Sequence, residues 1–341
     1  MTTSQSDFQL NRPGALIAAL PAVLGFVPEK SLVLVTVDRG EMGCVMRVDL
    51  SPELYDSVAH VAEVAAAARP DAAIAVVVDA EGADCRLCND EYRRLANSLT
   101  DRLAEHRIEL LDVHVVDRVA AGGRWHCLDG GGGVIDDPST SPLAMAAVLE
   151  GRRLYARRAE LQQVIEVVDP AASEALAAII RAQADARKVD ARRDIEEAMA
   201  AATRVAAGKA LPEPRLARLA CALTDPQVRD TLYALAVGDS AAQAESLWAL
   251  LSRTLPAPWR VEALVLLAFS AYARGDGPLA GVSLEAALRC DPTHRMAGML
   301  DTALQSGMRP EQIRELARTG YRLAKRLGVR LPNRCVRPSR P

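Results

Sequence analysis

The stretch that most constrains the fold lies between Leu20 and Asp49. It reads as a short apolar helix, a Gly25-Phe26-Val27-Pro28 turn, an apolar strand from Leu32 to Val37, a polar turn and a second strand from Val45 to Val48. An unbroken apolar run with no alternation is what a strand covered on both faces requires. The link through Asp38-Arg39-Gly40 is too short for a crossover, so the two strands pair antiparallel.

Around this hairpin the chain alternates. Asn11 is placed to cap a helix entered at Pro13, with Leu16, Leu20 and Leu24 at helical spacing and a break or kink at Pro21. Ser51-Pro52-Glu53 reads as the start of a helix running to about Ala68. Ile74–Val78 is a buried strand, and Glu91–His106 an amphipathic helix with Tyr92, Leu95, Leu99 and Leu103 on one face. Leu110–Val116 is the next strand, with Arg124–Leu128 its hairpin partner. This pattern predicts an α/β domain over 1–165 with a mixed sheet of about five strands. Helical crossovers make the strands ending at Asp49, Asp79 and Asp117 a parallel set, with the first and last strands antiparallel.

From Leu143 strand patterning stops. Leu143–Val168 and Ser173–Ala207 read as alanine- and charge-rich helices, and 166–210 as a helical connector closed by the joint Leu211-Pro212-Glu213-Pro214. Over 211–328 every segment is helical and a unit recurs. Ala268 to Pro292 resembles a tetratricopeptide repeat, with Gly275-Asp276 as its turn and Ala280 and Ala287 as small packing positions. Gly238-Asp239, Ala244, Trp248 and Pro256 repeat the pattern upstream, and Met296–Gln305 with Glu311–Leu327 forms a further hairpin that departs from it. A helix pair cannot bury its own apolar face, so such units stack. The tail 329–341 is basic, proline-containing and expected to be disordered.

Several motifs together carry a resemblance. Leu24-Gly25-Phe26, Pro28, Ser31-Leu32-Val33, Arg47-Val48-Asp49-Leu50, Arg124-Trp125, Gly151-Arg152, Arg158 with Glu160-Leu161, Arg274 to Gly277 and Asp291-Pro292 span nearly the whole chain. In this set the chain resembles an uncharacterised actinobacterial family, a domain of unknown function, for which no activity is established. In that family several cysteines often follow the tryptophan. Here the place holds Cys127 and then Gly130 to Gly133, a departure that speaks against a metal role for that loop.

Composition narrows the function classes. Lysine and arginine number 41 against 44 acids, a net charge of -3, which gives no polyanion-binding surface and no expectation of a nucleic-acid partner. The first residues have neither a basic region nor an apolar core, and no run approaches the ~20 apolar residues of a membrane span. The seven cysteines have no disulfide-framework spacing, which points to a reducing, cytoplasmic setting.

The candidate sites are few. Asp49, Asp79 and Asp117 each end a strand of the expected parallel set, at the carboxyl edge where open α/β sheets bind ligands. Carboxylates there can hold a cation or transfer protons, although aspartate is also a common strand-end residue. Cys85-Arg86-Leu87-Cys88 has the setting of a redox pair or half a zinc site. Its other half would have to come from His106, His114, His126 and Cys127, and no second pair at metal spacing exists, so no zinc and no cofactor are expected. Gly130–Gly133 lacks the lysine of a phosphate loop and reads as slack loop, and no Gly-x-Ser-x-Gly elbow occurs. Arg152, Arg153, Arg157 and Arg158 form one basic helical face.

With no complete catalytic constellation, the leading expectation is a non-enzymatic interaction protein that holds a protein or peptide on its helical repeats. In the repeat register Glu262, Val265, Phe269 and Tyr272 form one stripe on the inner helix. The alternative is an enzyme or small-ligand binder at the carboxyl edge of the sheet, and self-association is left open.

Overall fold

The computed structural model describes residues 12–67, 69–149 and 154–333, and the chain divides into two units, Met1–Leu161 and Gln162–Pro341. In the first unit, α1 (Pro13–Leu24) leads into β1 (Ser31–Asp38) and β2 (Glu41–Asp49). Then follow α2 (Leu54–Ala66), β3 (Ala72–Val78), α3 (Arg86–Glu105) and β4 (Glu109–Val116). The last strands are β5 (Arg124–Cys127) and β6 (Gly132–Val134), followed by α4 (Pro142–Leu149). Asn11, the expected cap of α1, lies outside the described residues, and Arg12 stands at the N-cap position. Pro21 does not break α1, which runs on to Leu24.

The sheet has six strands in the order β2-β1-β3-β4-β5-β6. β1 is antiparallel to both neighbours, and only β3 and β4 pair parallel. The strands ending at Asp49, Asp79 and Asp117 do run in one direction, but β1 stands between the first and the other two. The sixth strand is the glycine run itself: Gly130 and Gly131 make the turn, and Gly132–Val134 pairs back on β5. The sequence reads it as slack because glycine has little strand preference of its own.

β1 and β3 are buried along almost their whole length, as their unbroken apolar character requires. On one face Leu32, Leu34, Ala73, Ala75, Val77 and Val115 pack with α2 and α3. The alternate residues Val33, Val35, Ile74 and Val76 point the other way and are also buried. The register of β3 with β4 shifts between Ala73 and Ile74, so that Leu110 and Asp112 face Ala73 and Ile74 with Leu111 left over. This bulge decides the site. It puts Val113 and Val115 on the α2/α3 core face and Asp112 and His114 on the opposite one.

The expected helix Leu143–Val168 is not continuous. α4 spans Pro142–Leu149, residues 154–157 are not helical, Phe26 bridges to Tyr155, and α5 (Arg158–Gln163) follows across the unit boundary. Of the basic face, Arg152 and Arg153 lie outside the described residues. The expected helix Ser173–Ala207 is also two: α6 (Pro170–Ala186) and α7 (Ala191–Ala206), each N-capped by an aspartate side chain, Asp169 and Asp190. An aspartate that accepts a backbone N–H three residues ahead starts a helix rather than continuing one.

The second unit continues with α8 (Glu213–Leu223), α9 (Pro226–Leu232), a 3-10 turn Tyr233–Val237, α10 (Ala241–Thr254) and α11 (Arg260–Arg274). It ends with α12 (Gly277–Cys290), α13 (Arg295–Gln305) and α14 (Pro310–Leu327). α6 packs on α8, and α7 on α10, α9 and α8, so the expected connector is part of this unit's packing. The Gly275-Asp276 turn forms as read, with Asp276 capping α12 through the Leu279 N–H, and Ala280 and Ala287 are buried. Beyond α14, Val329 is buried, Tyr321 donates to the Pro332 carbonyl and the Asp239 N–H to that of Asn333. The first residues of the expected disordered tail are therefore held, while 334–341 lie outside the described residues. Among the described residues no helix is long and apolar enough to cross a membrane.

α11 is apolar all round and buried from Ala263 to Ala273. The stripe read as an open recognition face is covered, because α14 and the 3-10 turn pack against α11. Val265 and Phe269 have essentially no exposure, and the Phe269 ring lies 4.6 Å from that of Tyr233. Tyr272 donates its hydroxyl to the Met308 carbonyl at 2.8 Å. Glu262 takes Arg229 at 3.1 Å and stands 3.4 Å from the His294 ring. The four residues are structural here: an amphipathic last helix was free to cap the array or to fold back, and it folds back. Phe269→Ala should therefore cost ~3–5 kcal/mol in urea unfolding. A change near zero would mean the ring is not in the interior.

Candidate functional site

The carboxyl edge of β3 and β4 is where side chains of mixed chemistry meet. Of the three aspartates singled out from the sequence, Asp49 pairs with Arg47 at 2.5 Å on the outermost strand. β1 intervenes, so it stands about 10 Å from Asp79, two strand spacings away. Asp79 accepts the Tyr92 hydroxyl at 2.7 Å and the Glu81 N–H at 3.1 Å, which shapes the loop into α3. Asp117 accepts the backbone N–H groups of Arg118 and Arg124 at 2.6 and 2.8 Å and pairs with the Arg118 guanidinium at 3.2 Å. Each carboxylate is occupied locally, and the three do not converge.

The β3–α3 loop is tightly built. A side chain at Gly82 would meet the Tyr92 hydroxyl at 2.0 Å and Asp79 at 2.6 Å, so only glycine lets that hydrogen bond form. Burial, reinforced by the Asp79 carboxylate, pushes the Tyr92 phenol up, which keeps it a donor. Cys85 is the N-cap of α3 and Cys88 lies one turn in. The backbone N–H of Cys88, helped by its thiol and by the Leu87 N–H, lowers the Cys85 thiol, while the hydrogen bond with Cys85 raises Cys88. Asn89 ties this loop to β5: its amide donates to the Ala83 and Cys85 carbonyls at 2.9 Å, and its oxygen meets His126 Nε2 at 2.8 Å.

On the other face of the sheet His114 stands directly across from Cys127 in the β4–β5 ladder, with Asp112 two residues earlier on the same side. Their donor atoms all lie within 4.8 Å of one another. Cys127 Sγ approaches Asp112 Oδ1 at 2.5 Å, and His114 Nε2 lies 3.7 Å from Asp112 Oδ2. His114 is 2% exposed, and its Nδ1 is buried with no partner. Burial pushes the imidazole down against the pull of Asp112, and burial together with the hydrogen bond to Asp112 pushes the Cys127 thiol up. The Trp125 ring packs edge-on against His114 at 5.3 Å. Gly133 gives that ring its room, since a Cβ there would lie 3.0 Å from the indole nitrogen.

Between the β3–α3 loop and the β5–β6 hairpin opens a cleft of about 330 Å³, lined chiefly by Asp84, Asp117, Arg124, Trp125, His126 and Val134. Arg124 spans it, bonded to Asp84 at 2.5 Å and 3.8 Å from Asp117. Both Asp84 and Arg124 are largely exposed, so their pairing is worth little and is easily exchanged. A family model described as a domain of unknown function, DUF4192, matches residues 13–311. The chain belongs to that family. The matched span takes in the sheet and nearly all the helices, so DUF4192 includes residues of both units. No curated protein and no solved structure matches the chain.

Of the three aspartates only Asp117 lines the cleft, and His126 and Gly133, weighed in the sequence for zinc and for phosphate, line it too. Asn89 and Arg124 are not legible as site residues, and nor is the grouping of Asp112 with His114 and Cys127, two residues that the sequence offers only as spare ligands for the Cys85–Cys88 pair. The first is an ordinary polar residue on a helix, and the last depends on a bulge and on a cross-strand register. Only Arg124-Trp125, within the family motifs, marked the right place. The unequal thiols give a direct test. In a short iodoacetamide pulse at neutral pH, Cys85 should be alkylated faster than Cys88, because the thiolate is the nucleophile. Equal rates, read by peptide mass spectrometry, would mean the α3 N-terminus does not distinguish them.

Proposed function

We propose that the protein binds a small ligand at the carboxyl edge of its sheet, a molecule with an anionic group for Arg124 and a flat apolar part for Trp125. One observation carries this reading: the cleft brings a readily exchanged guanidinium and an indole wall together at the end of parallel strands β3 and β4. That is the edge at which open α/β sheets take ligands. A carboxylate or phosphate displacing Asp84 would meet Arg124 in the paired geometry guanidinium favours. The reading is of binding and not of catalysis, since the strand-end carboxylates are held by their own loops.

A second reading keeps a protein partner on the tetratricopeptide-like helices, but on their outer side. Met299, Met308 and Leu316, all on the last hairpin, are exposed large apolar residues, and this favours it. The covered inner stripe leaves no other face of α11 for such a partner.

The test of the first reading is thermal unfolding against aromatic carboxylates and nucleoside monophosphates. A true ligand at a hundred times its Kd adds about 2.7 kcal/mol, a readily measured rise in Tm. The rise should vanish in Arg124→Ala while the unliganded Tm stays within about 0.5 kcal/mol of wild type, as for an exposed side chain. A rise that survives Arg124→Ala, or no rise with either class, would sink the proposal.

A further inference from the structure

We propose that Asp112, His114 and Cys127 form a binding site for one divalent metal ion of the zinc class. Without the extra residue at Leu111, Asp112 would share a face with Leu110 in the α2/α3 core. With it, Asp112 and His114 turn to the other face, and the β4–β5 register lays Cys127 beside His114. A carboxylate, an imidazole and a thiol then have donor atoms within 4.8 Å of one another, the spacing of ligands around a single ion. Bulges that re-aim a side chain are a recurrent device beside functional sites.

The second observation is His114 itself. It is 2% exposed, and neither ring nitrogen makes a hydrogen bond to a described residue. A buried imidazole is normally partnered, because leaving a polar group unpaired in the interior is costly. Nε2 stands 3.7 Å from Asp112, too far for a hydrogen bond, and Nδ1 is buried with no partner among the described residues. An ion between Asp112, His114 and Cys127 gives the imidazole a partner through one of its ring nitrogens and separates the crowded Cys127 and Asp112.

The donor set selects the ion. One sulfur, one nitrogen and one oxygen suit zinc and cobalt(II) over the hard calcium and magnesium ions, which take oxygen alone. Binding breaks the Cys127 S–H bond, forms a metal–sulfur bond and releases one proton to solvent. With three protein ligands, a tetrahedral ion keeps a fourth position for water. Asp112 and Cys127 are partly exposed, which gives that water access. The Cys85–Cys88 pair takes no part. Its loop joins the α3 side of the sheet, through Asn89 and His126, and the cluster is on the opposite side.

The experiment uses the full chain, reduced, stripped with chelator and titrated with cobalt(II). The expected result is a cobalt–thiolate charge-transfer band that saturates at one equivalent, with tetrahedral visible bands, and is displaced by zinc. Cys127→Ser should abolish the thiolate band, and Asp112→Asn should weaken zinc binding by more than about a hundredfold, beyond what losing an outer partner costs. Cys85→Ser with Cys88→Ser should leave both unchanged. Zinc should also protect Cys127, and not Cys85, from iodoacetamide, a readout that does not depend on any variant folding. A wild-type chain with no thiolate band overturns the proposal. So does a band that survives Cys127→Ser and disappears with Cys85 and Cys88.

Discussion

Strand β1 is paired on both edges and covered on both faces, and the first unit is arranged around that condition. An apolar strand so enclosed must satisfy every backbone group through its neighbours. β2 on one side and β3 on the other do so, both antiparallel. Placing β1 there pushes β2 to the rim and brings β3 and β4 together as the single parallel pair. At the edge where these two end, next to the start of α3, a cleft brings a tryptophan within reach of several ionisable groups. The separation of Asp49 from Asp79 and Asp117 has the same cause.

The second unit obeys a different constraint. Its helices are organised about α11, which has no polar face to offer water. An array of helix pairs normally shields such a helix with successive repeats. Here α14 turns back over it, and the Arg314 side chain reaches the Ala273 carbonyl at 2.6 Å to fasten the two. Gly320 lets α14 come close to α9 and the 3-10 turn beside it, since a Cβ there would meet the Thr231 carbonyl at 2.7 Å. Glu262, at the start of α11, pairs with Arg229 of α9 and stands 3.4 Å from the His294 ring at the start of α13.

Much of this was legible in the sequence, and the limits are physical. The hairpin of β1 and β2, the buried β3 and the amphipathic α3 follow from local apolar pattern, because burial on one or both faces writes itself into residue spacing. The Gly275-Asp276 turn is equally local. The order of strands in the sheet is not, since the same hairpin can insert beside β3 by either strand. β6 was missed because a glycine run has no preference for a strand until a partner supplies one, and β5 does. The grouping of Asp112, His114 and Cys127 was hidden for a further reason. Simple alternation along β4 gives the wrong face for Asp112, and only the register shift opposite Ala73 and Ile74 corrects it. The stripe of Glu262, Val265, Phe269 and Tyr272 was found as a stripe. What covers it depends on where a distant helix travels, which no local spacing records.

The glycines that make room for Trp125 have one more effect, on the outer margin of the sheet. β6 is an edge strand of three residues, two of them glycine. An exposed edge offers unpaired N–H and C=O groups on which a second chain can add a strand and begin a fibre. A short, glycine-rich edge is a poor template, because it offers few hydrogen bonds and hardly any side-chain surface to hold an incoming strand in register. At the opposite margin β2 is nine residues long but carries Glu41, Arg47 and Asp49 and faces a register shift in β1. Charge and irregularity guard one margin and brevity the other, so a protein with an uninterrupted apolar strand at its centre keeps that strand's chemistry from spreading between molecules.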